Sequence, residues 1–222
     1  MKYRSVFDII GPIMVGPSSS HTAGAARIGL FTRYIFGFQP KKIKITLYGS
    51  FKETYKGHGT DIALIGGLLG YNTSDKRIRT SLEDAKEAGI DFEFIESEVE
   101  HIHPNTAKLE VEAGRHSLDL IGKSIGGGKM VIFELLGFDV NLSGDFPSYF
   151  VFYKFSEKNK THLLSEINNI FGDNKVSDNF SDSILEGVNL LVVEVLEEIS
   201  TKQIERIANL EYVNEVKFAD RL

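Results

Sequence analysis

The chain contains no cysteine. By itself it therefore cannot form a disulfide, a zinc–thiolate site, a thiol nucleophile or a self-held iron–sulfur cluster. It also has no excess of positive charge. Its 25 Lys+Arg stand against 31 Asp+Glu, a net charge of −6, the wrong balance for gripping a phosphate backbone, so no nucleic-acid partner is expected. Long apolar runs are missing too. The longest uncharged stretch, Ile9 to Ala26, contains Pro12, Pro17, three serines and His21, and a bilayer span needs about 20 predominantly apolar residues. Asp8 interrupts the one candidate leader segment. The expectation is a soluble, cytoplasmic protein with no membrane partner. What is there, 222 residues of which 42% are hydrophobic, suits one or two globular domains.

Glycine divides the chain. Nineteen of the 21 glycines precede Phe146, and only Gly172 and Gly187 follow. The polar stretch Leu142-Ser143-Gly144-Asp145-Phe146-Pro147 reads as a linker, which places one domain at 1–145 and a second at 148–222. In the second, Tyr149–Phe155, Val176–Phe180, Val188–Leu196 and Val213–Phe218 read as strands. Thr161 and Thr201 stand as caps ahead of two amphipathic helices. The order βαββαβ predicts an antiparallel sheet covered by two helices. The first part is glycine-rich α/β. Ser20–Phe36 and Ile62–Leu69 read as helices, Ile43, Ile45 and Leu47 as the inward side of a strand, and the residues from Gly49 to Asp61 as the connection between strand and helix. The fold class expected is α/β (α+β).

Two segments carry residues suited to chemistry. Gly16-Pro17-Ser18-Ser19-Ser20-His21-Thr22 puts three hydroxyls and an imidazole at a helix start, where free amides favour a carboxylate or phosphate. One serine would suffice as a cap. The second, Gly57-His58-Gly59-Thr60-Asp61, follows a strand and precedes a helix, a common place for ligands in α/β proteins. There Asp61 either orients an imidazole or caps the next helix. Two further segments are weaker. His101-Ile102-His103-Pro104-Asn105 reads as a strand end and turn rather than a metal site, and no metal ligands are assigned. Ser124-Ile125-Gly126-Gly127-Gly128-Lys129 reads as a hairpin loop without P-loop spacing.

In that order, Gly16-Pro17-Ser18-Ser19-Ser20-His21-Thr22, Leu47-Tyr48-Gly49-Ser50-Phe51, Gly57-His58-Gly59-Thr60-Asp61, His103-Pro104-Asn105-Thr106 and Ser124-Ile125-Gly126-Gly127-Gly128 resemble the motifs of iron–sulfur-dependent L-serine dehydratases. The likeness is to the β chain of the two-chain form and covers nearly the whole chain. The 148–222 part resembles an ACT domain, of the ferredoxin-like class. Its first turn, Ser156-Glu157-Lys158-Asn159-Lys160, departs from the Asp-x-Pro-Gly type of ligand-binding ACT domains.

The resemblance implies β-elimination of L-serine to pyruvate and ammonia through aminoacrylate, with a [4Fe–4S] cluster as Lewis acid. Since this chain has no cysteine, the cluster would belong to a partner, the α chain. A monovalent cation requirement is left open. His58 is then the first candidate for the base that takes the Cα proton, and His21 is the second, or a partner in proton transfer. Ser18, Ser19 and Ser20 would hold the substrate carboxylate, with Thr60 and Asp61 as further substrate contacts. A homodimer through the ACT domain is expected, because the runs Tyr149–Phe155 and Val188–Leu196 hold more apolar residues than one helical layer covers. A different class of function also fits. The first part resembles the allosteric substrate-binding domain of some phosphoglycerate dehydrogenases, which would make the chain a non-catalytic sensor of an anion or amino acid.

Overall fold

The computed structural model describes residues 19–99, 103–182 and 187–222. It is a mixed α/β structure with two sheets, and it divides into two compact units. One comprises Met1–Leu136, Asn141–Ser143 and Leu222, and the other Gly137–Val140 and Gly144–Arg221. None of the described helices is long and apolar enough to cross a membrane.

In the first unit a π-helical turn, Ser19–Ala23, runs directly into α1 (Gly24–Phe36). There follow β1 (Lys42–Tyr48), α2 (Gly49–His58), α3 (Thr60–Leu68), α4 (Ser81–Glu87) and β2 (Asp91–Glu96). The strands β3 (Thr106–Ala113), β4 (His116–Gly126) and β5 (Lys129–Leu135) follow, in the sheet order β2-β1-β3-β4-β5, and β6 (Phe138–Leu142) comes next in the chain. β1 and β2 are parallel, because α2, α3 and α4 carry the chain back across the sheet between them, whereas β1–β3, β3–β4 and β4–β5 are antiparallel. The alternation expected of β1 is present: Ile43, Ile45 and Leu47 are buried and Lys44, Thr46 and Tyr48 half-buried. They pair with Val111, Leu109 and Ala107 of β3, which are buried as well.

The helix α1 is apolar on nearly every side, with ten of its thirteen residues buried. It is a core helix. Gly122 of β4 leaves room for it: a Cβ there would stand 3.1 Å from Ile28 Cγ2. Its far side meets α3, again at glycines. Two expectations are corrected. The residues from Gly49 to His58 form α2 rather than a loop, and Phe138–Leu142, short and bounded by Gly137 and Gly144, forms a strand for which no element was expected.

The second unit runs β7 (Ser148–Lys154), α5 (Glu157–Phe171), β8 (Lys175–Ser181), β9 (Val188–Val195), α6 (Thr201–Ala208) and β10 (Val213–Ala219), with sheet order β10-β7-β9-β8. All three strand pairings are antiparallel. Tyr149, Val151, Tyr153, Leu191, Val193 and Val195 form one core with Leu163, Ile167, Ile170 and Phe171 of α5 and Ile207 of α6. At about 1.5–3 kcal/mol for each fully buried large apolar side chain, this layer dominates the unit's stability. The caps differ from those expected. Ser156, not Thr161, caps α5 by accepting the Asn159 amide at 3.0 Å, and Ser200 with Gln203 forms a capping box ahead of α6. The first turn of α5, Glu157-Lys158-Asn159-Lys160, is polar and so gave no periodic signal.

On the opposite face of this sheet Phe150, Phe152, Leu190 and Val192 are buried, and Phe152 meets Phe138 with ring centroids 5.9 Å apart.

Candidate active site

The site assembles where α1, α2 and α3 begin or end. The αL glycine Gly49 (φ 51°) turns the chain from β1 into α2. A Cβ there would lie 2.7 Å from Pro104 Cα and 2.8 Å from Pro104 O, so only glycine fits both the angle and the space. Pro104 O accepts the Phe51 amide at 3.2 Å, taking up one of the orphan donors of the α2 N-terminus. Asn105 O accepts the Ser124 amide at 2.9 Å. A Cβ on Gly24 would collide with Ser124 Oγ at 2.0 Å. The 103–106 turn, the end of β4 and the start of α1 are thus packed into one place, although these segments are far apart in sequence.

His21 occupies the π-helical turn, half-buried. Its Nδ1 lies 3.0 Å from Ser20 Oγ and its Nε2 lies 3.0 Å from Ser50 Oγ. A neutral imidazole donates through one nitrogen and accepts through the other, and a hydroxyl serves either role, so both contacts are satisfied in either tautomer. The ring also lies 5.5 Å from that of Phe51, which is fully buried. Burial pushes the His21 pKa below the ordinary histidine value, and the neighbouring His58 adds to the effect.

His58 ends α2, capped by Gly59 in the αL conformation (φ 71°). Its backbone oxygen accepts Thr22 Oγ1 at 3.1 Å, which ties the start of α1 to the end of α2. The His58 ring meets that of His21 edge-on, with centroids 4.7 Å apart and an interplanar angle of 86°. Unlike His21, it is exposed, and its ring nitrogens make no hydrogen bond among the described residues.

Thr60 opens α3 and is completely buried, yet its Oγ1 has no hydrogen-bond partner among the described residues. Next to it, burial raises the Asp61 carboxyl above its ordinary range; bonds from the Ile62 and Asp61 amides and the charge of Lys56 oppose the shift. Asp61 Oδ1 accepts the Ile62 amide at 2.8 Å. Of the two readings open for Asp61, orienting His58 or satisfying the start of α3, the hydrogen bonding matches the second.

The structure brings Ser20, His21, His58, Thr60 and Asp61 into one neighbourhood. Ser19 lies in the same turn by its backbone, whereas Ser18 and His101 fall outside the described residues. Ser50 and Phe51 are additions that sequence reasoning missed as site residues. Their signal was the strand–Gly–Ser junction, which places Ser50 in the first turn of a helix at the end of β1.

Residues 5–89 match the serine dehydratase beta chain family. The chain is also 44% identical to the probable L-serine dehydratase beta chain of Bacillus subtilis (strain 168) over 224 residues, spanning 99% of this chain and 100% of that one. This chain belongs to the serine dehydratase beta-chain family.

The L-serine dehydratase beta chain of Peptoniphilus asaccharolyticus is 42% identical over 151 residues, covering 67% of this chain and 68% of its own length. L-serine dehydratase 2 of Escherichia coli (strain K12) is 33% identical over 121 residues, but these make up only 23% of that longer protein. The family match at 5–89 takes in His21, Ser50, His58, Thr60 and Asp61. It stops short of the 103–106 turn and the second unit.

Metal-holding capacity is a separate matter. No group of three or more His, Cys, Asp or Glu suited to a metal ion occurs among the described residues, and the sequence has no thiol. The residues of this serine dehydratase beta chain do not fit a [4Fe–4S] cluster.

Proposed function

We propose that this chain is the β subunit of a two-chain L-serine dehydratase and that it supplies the base for elimination of water from L-serine. The observation that carries the reading is the contrast between the two imidazoles. Both His21 nitrogens are occupied by serine hydroxyls, whereas His58 is exposed with its ring nitrogens free of hydrogen bonds. A general base must reach the proton it abstracts, and His58 can do so. In this reading a His58 ring nitrogen takes the Cα proton. The Cβ–O bond breaks, the hydroxyl leaves as water with that proton returned from the imidazolium, and the aminoacrylate takes up a water to give pyruvate and ammonia. His21, close by and held by two serine hydroxyls, lies edge-on against the His58 ring. The hydroxyls of Ser18, Ser19 and Ser20, the amides around the helix starts and the buried Thr60 hydroxyl seat the substrate carboxylate.

Activation of the leaving hydroxyl is assigned to an α chain carrying a [4Fe–4S] cluster, since the residues here do not fit that group. The longer relatives, such as L-serine dehydratase 2 of Escherichia coli, of which this chain matches 23%, are consistent with a second polypeptide supplying the remainder. We further infer that the second unit is an ACT module, supported by its βαββαβ order and the β10-β7-β9-β8 sheet. Self-association through it would use β8, the last strand of that sheet. A strictly monomeric mass by analytical ultracentrifugation at micromolar concentration would count against that. A cytoplasmic location is proposed on the composition.

The test is anaerobic reconstitution with the α chain followed by a pyruvate assay. The chain alone should be inactive. In the complex, His58→Ala should lower kcat roughly 10²- to 10⁴-fold with the serine KM little changed. If His58→Ala keeps near-normal kcat, the base is not His58. If both histidine variants stay active, the chain is a regulator.

A further inference from the structure

The packing of α1 against α3 is unusually close. A Cβ on Gly29 would stand 2.3 Å from Leu64 O and 3.1 Å from the Leu68 amide nitrogen. A Cβ on Gly67 would stand 2.2 Å from Ala26 O and 2.5 Å from Leu30 N. The obstructing atoms are backbone in every case, so no side-chain rotation relieves them. The two helices touch backbone to backbone, and each glycine is the reason the other helix can come so near. Both helices also start at the site. The α1 run carries His21 and Thr22 at its beginning, and α3 follows His58 after a single residue, Gly59.

We infer that Gly29 and Gly67 are positioning residues whose interlock sets the separation of the His21 and His58 rings. Pushing α3 away from α1 would drag the Gly59 junction, and His58 with it, from a ring fixed by Ser20 and Ser50. The consequence for turnover rests on the functional reading above; the consequence for ring spacing does not.

Gly66 provides the control. It is the immediate neighbour of Gly67 on α3, but a Cβ there would meet Ile78 Cγ1 at 3.1 Å and Ser81 Cβ at 3.5 Å, on the side away from α1. Gly66→Ala therefore perturbs packing without parting the two helices.

The experiment uses the full-length chain labelled for NMR, with the same variants assayed in the complex with the α chain. In Gly67→Ala, cross-relaxation between the His21 and His58 rings should weaken and the His21 titration midpoint should move up part of the way toward ordinary histidine. The complex should lose about 10²-fold in kcat, the order expected for a misplacement near 1 Å. Gly66→Ala should lower the melting temperature and leave ring contacts, titration and kcat in place. Gly29→Ala should repeat the Gly67→Ala result. The inference is overturned if Gly67→Ala folds with ring contacts and titration unchanged, or if Gly66→Ala reproduces its effects. It is equally overturned if neither Gly29→Ala nor Gly67→Ala folds, even with a stabilising osmolyte, while Gly66→Ala does, since the role is then structural. Altered rings with normal kcat would uphold the interlock and instead remove His58 as the base.

Discussion

The two units of this chain are built by opposite means. The second packs bulky side chains, with Tyr149, Val151, Tyr153, Leu163, Ile167 and Phe171 filling one layer between sheet and helices. The first brings backbone against backbone at Gly29, Gly49 and Gly67. The difference follows the task. A side-chain core tolerates small shifts because many contacts share the load. A site needs several segments to meet at one point, and glycine lets them approach without a Cβ in between. The candidate site lies wholly in the unit built that way.

The sharpest way to break this comparison is to treat histidines in both units alike. His58→Ala should reduce kcat of the reconstituted complex roughly 10²- to 10⁴-fold. His162, on α5, has its Nδ1 2.8 Å from the Tyr212 hydroxyl at an exposed position, and His162→Ala should leave kcat within about twofold, as surface changes away from a site do. A comparable loss in both would mean the second unit takes part in the chemistry.

Core truncations sharpen the comparison next. Phe51→Ala should cost about 3–5 kcal/mol and Ile167→Ala about 2–5 kcal/mol, read from urea unfolding. Phe51, beside the His21 ring, should also disturb serine turnover under conditions where the variant is folded, whereas Ile167→Ala should not. If Ile167→Ala alters kcat as much as Phe51→Ala does, the two cores are not functionally separable.

The smallest effect is the pH dependence of stability. The native His21 pKa lies below its unfolded value of about 6.5. Below that value the unfolded chain binds a proton that the native chain refuses. The contribution is therefore fully present above pH 6.5 and is lost as pH falls toward the native pKa. Because His21 is half exposed, solvent screening keeps the effect modest. His21→Asn should flatten the dependence of the unfolding midpoint between about pH 5 and 7, and an unchanged slope would show that His21 titrates as an ordinary surface histidine.

Much of the second unit was legible because its signals are periodic. The runs at 149–155, 188–196 and 213–218 pair as strands within a residue or two of their expected limits. The errors fell at caps, where Ser156 outranked Thr161 because a polar first turn hides a helix start. In the first unit, α2 was invisible. Gly49-Ser50-Phe51-Lys52-Glu53-Thr54-Tyr55-Lys56-Gly57-His58 buries only Phe51, so it shows no apolar stripe. Its helix is held at both ends, by the Gly49–Pro104 contact and by the Gly59 cap.

The amino-acid sequence by itself determined the absence of any thiolate, the alternating strands and the identity of the residues with useful chemistry. Each is a local or compositional property, readable without knowing what lies across the fold. Tertiary structure alone decided that Ser50 faces His21, that the rings of His21 and His58 meet edge-on, and that Thr60 is buried with its hydroxyl unpartnered among the described residues. Those facts depend on segments 29 or more residues apart in sequence, as in the His21–Ser50 bond. No spacing rule relates such segments, because their distance is set by how closely α1, α2 and α3 pack.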